Sequence, residues 1–244
     1  MVGKALTDSS SFRRQRLIVI GLDGYEARIA DAMIGKGELP HLAALMKESA
    51  SIDLDHGRSK LSGLSWQQFA TGQGPKESGR WSAVDFDPRT YVAAQPMSTE
   101  KPSLAQAGDR VVILDAPYFD LASCRDVTGF VNWGAHDPGV EAYCRPVSLF
   151  FEMEQHFGPY PAPGDIYAFT WADAEASRRT AENLRKALAI RNEITCWLLS
   201  ERLPDWDMAV TVVSELHSAI EPLWHGFDER HPLPPLLPVG AEDR

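Results

Sequence analysis

The sequence has few cysteines and no long apolar run, and each absence excludes a class of protein. Its 244 residues include three cysteines, Cys124, Cys144 and Cys196, an odd number with no CxxC spacing. Such a set forms neither a disulfide framework nor a thiolate metal site, so we expect reduced and mostly buried thiols. No stretch approaches the roughly 18 apolar residues of a membrane-spanning helix, so we expect no membrane segment.

Basic residues are outnumbered by acidic ones. The sequence has 24 lysines and arginines and 34 aspartates and glutamates, so the formal charge is −10. Nucleic-acid binding requires a basic surface, so we expect no nucleic-acid partner. A phosphate ester bound at a metal ion is compatible with this charge, since the ion dominates the local field. Residues 1–15 show neither periodicity nor a secretory signal, which predicts a flexible tail on a cytoplasmic protein.

Apolar runs that predict buried strands alternate with segments that predict helices. The runs at Leu17–Ile20, Val111–Leu114 and Met208–Val213 are rich in β-branched residues, as is typical of parallel strands covered on both faces. Helices are predicted at residues 26–34, 64–70 and 172–200. The alternation predicts an α/β fold whose mostly parallel sheet is flanked by helices, in one domain over residues 16–244.

The first predicted strand ends in an acidic turn. Asp23 follows Gly21-Leu22 and precedes Gly24, without the glycine pattern of a dinucleotide site or a P-loop. Ligands of parallel sheets bind beyond the carboxyl ends of strands, so Asp23 is a candidate site residue. A turn aspartate that binds only its local backbone is the alternative, and position alone does not choose between the two.

Ser62 precedes the predicted helix at residues 64–70 and admits two roles. Serine is a favoured N-cap, and this helix needs one. A hydroxyl at a helix N-terminus also lies where free N–H groups and the helix dipole stabilise a transferring phosphoryl group. Both roles can coexist, so Ser62 is a candidate nucleophile.

A second candidate pair follows the strand at residues 208–213. His217 and Glu221 are spaced i, i+4, so on a helix they would share a face and could bind one divalent ion. The alternative is a surface pair without a ligand. Pro222 fits best as the first residue of a helix, which would place His217 in the strand-to-helix turn. Because Asp23 and the His217 segment both follow strands, we expect them to meet at one edge of the sheet.

Taken together, these segments resemble the type I phosphodiesterase/nucleotide pyrophosphatase family of the alkaline phosphatase superfamily. The matching stretches are Ile18–Gly24, Gly37–Leu42, Leu61–Trp66, Phe69–Gly72 and Pro75–Gly79. The resemblance implies an alkaline-phosphatase-like sheet, with Asp23 as a metal ligand and Ser62 as both nucleophile and ligand. The family's Asp-x-x-x-His ligand pair corresponds to His217 and Glu221 ahead of Trp224, with the spacing kept and both residue types changed.

The function implied by the resemblance is a metal-dependent phosphoester hydrolase that acts on a small phosphoester. Two divalent ions are implied, with zinc as the first choice and manganese as the second. Asp23 would anchor the ion that activates Ser62. His217 and Glu221 would hold the second ion.

Three departures from the family pattern bear on this function. Ser78 stands where the family has histidine, and Ala83 stands where pyrophosphatases have an asparagine that holds the phosphoryl group. The family's Asp-His-Gly motif and last histidine have no counterpart before Arg244. We therefore expect a partial catalytic domain, incomplete at the C-terminus, to which a missing C-terminal half or a partner chain adds the rest.

Two alternatives remain open. One is another enzyme of the superfamily, such as a phosphosugar mutase or a sulfatase. A sulfatase is disfavoured, because residues 62–66 lack the Cys/Ser-x-Pro-x-Arg signature. The other is a non-catalytic or truncated remnant that binds a phosphate or a partner.

Overall fold

The structure is a computed structural model that describes residues 15–55, 64–94, 102–104, 110–124, 126–134, 142–162, 174–228 and 230–231, except the side chain of Glu221. The predicted tail falls outside these ranges apart from residue 15, so the boundary between tail and domain stays a prediction. The strands are β1 Leu17–Leu22, β2 Asp85–Asp87, β3 Val92–Ala94, β4 Val111–Leu114, β5 Val127–Val131, β6 Tyr143–Arg145 and β7 Met208–Val213. The α-helices are α1 Ala27–Gly35, α2 Pro40–Lys47, α3 Ser65–Thr71, α4 Pro75–Ser78, α5 Val147–Phe157, α6 Ala174–Trp197 and α7 Glu215–Phe227.

The main sheet has five strands in the order β1-β7-β4-β5-β6. The first four are parallel to one another, and β6 is antiparallel to β5. The strands β2 and β3 form a separate antiparallel hairpin. The predicted α/β class with a mostly parallel sheet flanked by helices is confirmed.

Alternate side chains of β4 enter two hydrophobic cores on opposite faces of the sheet. Val112 and Leu114 pack in a core that includes α5 and α6. Val111 and Ile113 pack in a second core that includes Ala70 of α3. All four β4 side chains are buried, because β4 is an internal strand between β7 and β5. The predicted burial on both faces is thus confirmed for this strand.

The same prediction is wrong for β1. Leu17 is 55% exposed and Ile20 is 62% exposed. The reason is its place in the sheet: β1 is an edge strand, paired with β7 on one side and with no other described strand. Its apolar composition is typical of a central strand, but its position at the edge leaves these side chains exposed to solvent.

Replacing Ile20 with lysine is expected to reduce self-association of the chain. An exposed apolar edge strand is a template for pairing with another molecule, and a lysine opposes that pairing. Light scattering during size-exclusion chromatography would measure the effect as a lower fraction of oligomer and aggregate. Ile52→Lys is the matched control, because Ile52 is 80% exposed but lies outside the sheet. Equal effects of both substitutions would contradict the edge-strand explanation.

The burial of the cysteines and the length of the helices bear on two further features of the sequence. Cys124 and Cys144 are buried, Cys196 is exposed, and none of the three forms a disulfide in the described part of the chain. The prediction of mostly buried cysteines is therefore confirmed. Of the helices in the described ranges, none is long and apolar enough to cross a membrane.

Candidate active site

Residues that follow β1, β7 and β4 meet at one edge of the sheet. Because these strands are parallel neighbours, their carboxyl ends lie side by side. Asp23 comes directly after β1, Ser214 and Glu215 after β7, and Asp115 after β4. The strand order thus brings together four polar residues that are far apart in sequence.

Asp23 and His217 form the pair that the sequence predicted at this edge. The Nδ1 atom of His217 lies 3.1 Å from Oδ2 of Asp23. The Asp23 side chain is 15% exposed and that of His217 is 45% exposed, so the pair is accessible from solvent. The Asp23 backbone N–H donates a 3.0 Å hydrogen bond to the carbonyl oxygen of Val213, which ties the turn after β1 to the end of β7.

Gly24 determines how closely this turn approaches α7. Its φ angle is +74°, in the left-handed region that glycine adopts most readily. A Cβ atom at Gly24 would lie 2.7 Å from the backbone N and Cα of His217. Only glycine therefore fits here without displacing the first turn of α7.

His217 lies in the first turn of α7, not in a turn before it. The prediction that Pro222 begins a helix is wrong, because α7 begins at Glu215 and contains Pro222. The N–H of Ser218 already donates to the carbonyl oxygen of Ser214, so the helix is established before the proline. Residues 217 and 221 lie one helical turn apart on α7. The side chain of Glu221 is outside the described part, and its role as a ligand stays a prediction.

Ser62 also lies outside the described residues. The N-cap position of α3 is Leu64, so the predicted N-cap role of Ser62 is wrong, whereas its role as nucleophile stays a prediction. Helix α3 packs against the C-terminal half of β1. A Cβ atom on Gly21 would overlap the ring of Trp66, which shows how close the helix and the strand are.

A buried ionic cluster of Asp115, Arg191 and Glu215 lies at the same edge and was missed by the sequence analysis. Nη1 of Arg191 is 2.8 Å from Oδ2 of Asp115. Its Nε and Nη2 atoms each donate a 2.8 Å hydrogen bond to the Glu215 carboxylate. None of the three side chains is more than 5% exposed. One signal was available, since Arg191 interrupts the apolar stripe of α6.

Backbone groups and the Tyr160 ring complete the surroundings of this cluster. Asp115 accepts hydrogen bonds from the backbone N–H groups of Trp133 and Gly134, at 3.0 and 3.1 Å. Burial opposes the charge on Arg191, but the attraction of its carboxylate partners outweighs it and raises the pKa of Arg191. Burial, reinforced by the charge of Glu215, raises the pKa of Tyr160, so this phenol is neutral. Arg191 is therefore a permanent cation.

Asp23 and His217 each offer one donor to a divalent ion. A carboxylate oxygen and an imidazole nitrogen are both ligands that zinc and manganese accept. Across the described ranges, no group of three or more His, Cys, Asp or Glu side chains could hold a metal ion. The pair fits part of a metal site, and a full ligand set needs further residues.

Comparison with known families places this edge in a wider context. Residues 17–225 match the family described as type I phosphodiesterase / nucleotide pyrophosphatase. The chain belongs to this family. The predicted family is therefore confirmed. No curated protein matches the chain at a significant level.

Two solved structures are similar to this family member. Phosphonoacetate hydrolase from Sinorhizobium meliloti 1021, in complex with phosphonoformate, matches with a TM-score of 0.51 and 19% identity over 82% of this chain and 46% of that one. The same enzyme in complex with phosphonoacetate matches over the same shares with a TM-score of 0.49 and 19% identity. The first likeness confirms the alkaline-phosphatase-like fold. The chain spans about half the length of that enzyme, because the match covers 46% of it.

Proposed function

We propose that this chain carries the nucleophile half of a metal-dependent phosphoester hydrolase that acts on a small phosphoester. Family membership over residues 17–225 supports the reaction class. The single observation that carries the proposal is the 3.1 Å approach of Asp23 and His217 at the carboxyl edge of the parallel sheet. A partly exposed carboxylate and imidazole at that place suit the binding of a cation and its anionic substrate.

The position of α3 supports Ser62 as the nucleophile. Trp66 packs against Gly21, two residues before Asp23, so the start of α3 lies near the end of β1. Ser62 precedes Ser65, the first residue of α3, by three positions. A chain of three residues spans at most about 10 Å. This short connection is compatible with the proposal that the Ser62 hydroxyl and the Asp23 carboxylate share one ion.

The proposed ligands are Asp23 and Ser62 for one divalent ion, and His217 and Glu221 for the second. Zinc is the first choice and manganese the second, because the set mixes carboxylate, imidazole and hydroxyl donors. When bound, such ions supply Lewis-acid stabilisation of the charge on a transferring phosphoryl group. A C-terminal half or a partner chain would supply the remaining ligands.

The residues of this chain would carry out a two-step displacement. The Oγ atom of Ser62 would form a bond to phosphorus while the bond from phosphorus to the leaving-group oxygen breaks, and the Ser62 proton would pass through solvent to that oxygen. Water then attacks the phosphoserine, which restores the Ser62 hydroxyl and releases phosphate or its monoester. Asp23 would orient the imidazole of His217 through their 3.1 Å contact.

Ser62→Ala is expected to lower hydrolysis of an aryl phosphodiester by roughly 1000-fold or more, because the covalent route is lost. The assay would follow release of the phenol from the zinc-loaded and manganese-loaded chain, with an aryl phosphomonoester and phosphonoacetate in the same panel. Circular dichroism would confirm that the variant is folded. Ser65→Ala is the matched control, since Ser65 is an exposed serine three residues further on.

Undiminished turnover in Ser62→Ala would remove Ser62 from the reaction. If the wild-type chain hydrolyses none of these substrates and retains no metal after dialysis, the enzymatic proposal fails for this chain. The non-catalytic alternative would then hold, and binding of inorganic phosphate would be its first test.

A further inference from the structure

We propose that Arg191 is a positioning residue, which holds the first turn of α7 so that His217 faces Asp23. The effect of Arg191 on metal binding and hydrolysis rests on the proposed function. Arg191 lies on α6 and contacts neither Asp23 nor His217 in any described interaction. It acts through Ser214 and Glu215, the residues at which α7 begins.

Arg191 joins the start of α7 to the end of β4. Its Nε and Nη2 atoms bind the Glu215 carboxylate as a fork, and Nη2 also donates a 3.1 Å hydrogen bond to Oγ of Ser214. Its Nη1 atom lies 2.8 Å from Asp115, which the backbone N–H groups after β5 hold in place. One guanidinium thus connects α6, α7 and the turn after β4. A fork of this kind fixes orientation as well as distance.

The two sides of α7's first turn are held by different partners. Successive residues of an α-helix are separated by about 100°, so Glu215 and His217 point about 160° apart around the axis. Glu215 faces inward to Arg191, and His217 faces outward to the turn after β1. A Cβ atom added to Gly24 would lie 2.7 Å from the backbone N and Cα of His217, so the turn after β1 packs closely against this part of α7. The first turn of α7 is therefore clamped between Arg191 and the β1 turn, which sets the position of the His217 ring.

The free-energy cost of burying three charged side chains indicates that this cluster has a role beyond stability. Two buried carboxylates share one guanidinium, and well-packed apolar residues are often as stable as such a buried ion network. Arg191 also stands among the buried apolar residues Leu184, Ala187 and Ile194 along α6. An apolar residue would continue that stripe but could not orient the helix start. Space around the guanidinium is tightly filled, since a Cβ on Gly134 would lie 2.7 Å from Nη2.

A double-mutant cycle between Asp23→Ala and His217→Ala tests the positioning directly. The cycle is measured by urea unfolding of the metal-free chain, once with Arg191 and once with Arg191→Lys. Lysine keeps the charge but loses the fork. We expect the coupling between Asp23 and His217 to be present with Arg191 and lost with lysine. The matched background is Arg202→Lys, because Arg202 binds Glu152 as a fork far from this edge.

A second readout links the positioning to the site. Zinc affinity of the full chain, measured by competition with a chelating dye, is expected to fall at least 10-fold in Arg191→Lys and to stay within twofold in Arg202→Lys. If the wild-type chain binds no zinc, the proposed function fails, while the cycle still decides the role of Arg191. Coupling that persists unchanged in a folded Arg191→Lys variant would overturn the inference.

If the Arg191→Lys variant does not fold, the same cycle is measured in a variant whose cluster carries no charge. The variant Asp115→Asn, Arg191→Met, Glu215→Gln removes all three charges at similar volume, so no buried charge is left unpaired. Loss of the Asp23–His217 coupling in this folded variant supports the inference. Coupling equal to that of the wild type contradicts it, and so does failure of the neutral variant to fold, because the cluster would then be needed for folding.

Discussion

Asp23→Ala is expected to lower phosphoester hydrolysis by roughly 100-fold or more and to reduce metal content in parallel. This loss of rate is the size expected when one group that stabilises charge in the transition state is removed. The Asp23 carboxylate is 85% buried beside the His217 imidazole, and alanine would leave that imidazole without its 3.1 Å partner. Turnover would be measured with an aryl phosphodiester, and metal content by atomic emission after dialysis.

His217→Ala extends this test to the other member of the pair. If the two residues serve one site, either substitution alone should cost about as much as both together, because groups that act as a unit are not additive. Asp31→Ala and His41→Ala are matched controls, since both residues are exposed on neighbouring helices. Additive losses, or unchanged metal content in both single variants, would show that the pair is structural.

Gly129→Ala is expected to destabilise the chain by about 3 kcal/mol or more, because strain and overlap add at this position. Gly129 has a φ angle of +136°, which an alanine rarely adopts. Its added Cβ would also overlap the backbone carbonyl of Ile113, its partner on β4. That carbonyl cannot move aside, since β4 is buried and paired on both sides.

Urea unfolding with linear extrapolation would measure this loss. Gly35→Ala serves as the control, because Gly35 ends α1 and a Cβ there meets no atom within 4 Å. Its effect is expected to lie within about 1 kcal/mol of zero, on the stabilising side. A cost below about 1 kcal/mol for Gly129→Ala would mean that β4 and β5 separate locally without loss of the fold.

The sequence predicted the elements well, because their signals are local. The β-branched runs at β4 and β7 and the long amphipathic pattern of α6 appear in the structure close to the predicted ranges. Helix starts were predicted less well. Ser62 was a candidate for the N-cap of α3, and Pro222 for the first residue of a helix. Both predictions relied on the position that serine or proline usually takes at a helix start. In the folded chain, the contacts of each helix with the sheet determine where it begins.

The candidate site shows the same division. The meeting of Asp23 and His217 was expected from one rule, that ligands bind beyond the carboxyl ends of parallel strands. The cluster around Arg191 was not expected, because its members are separated by 76 positions between Asp115 and Arg191 and by 24 between Arg191 and Glu215. No local pattern records a contact across such distances.

What the sequence determined by itself is the family, the α/β class and the identity of Asp23 as a residue at a strand end. These follow from short motifs and from periodicity, which depend only on neighbouring residues. The tertiary structure alone decided that β7 lies between β1 and β4, and therefore that the Arg191 cluster lies at the same sheet edge as Asp23. It also decided that β1 is an exposed edge, since strand order is set by packing among segments far apart in the chain and not by the composition of any one strand.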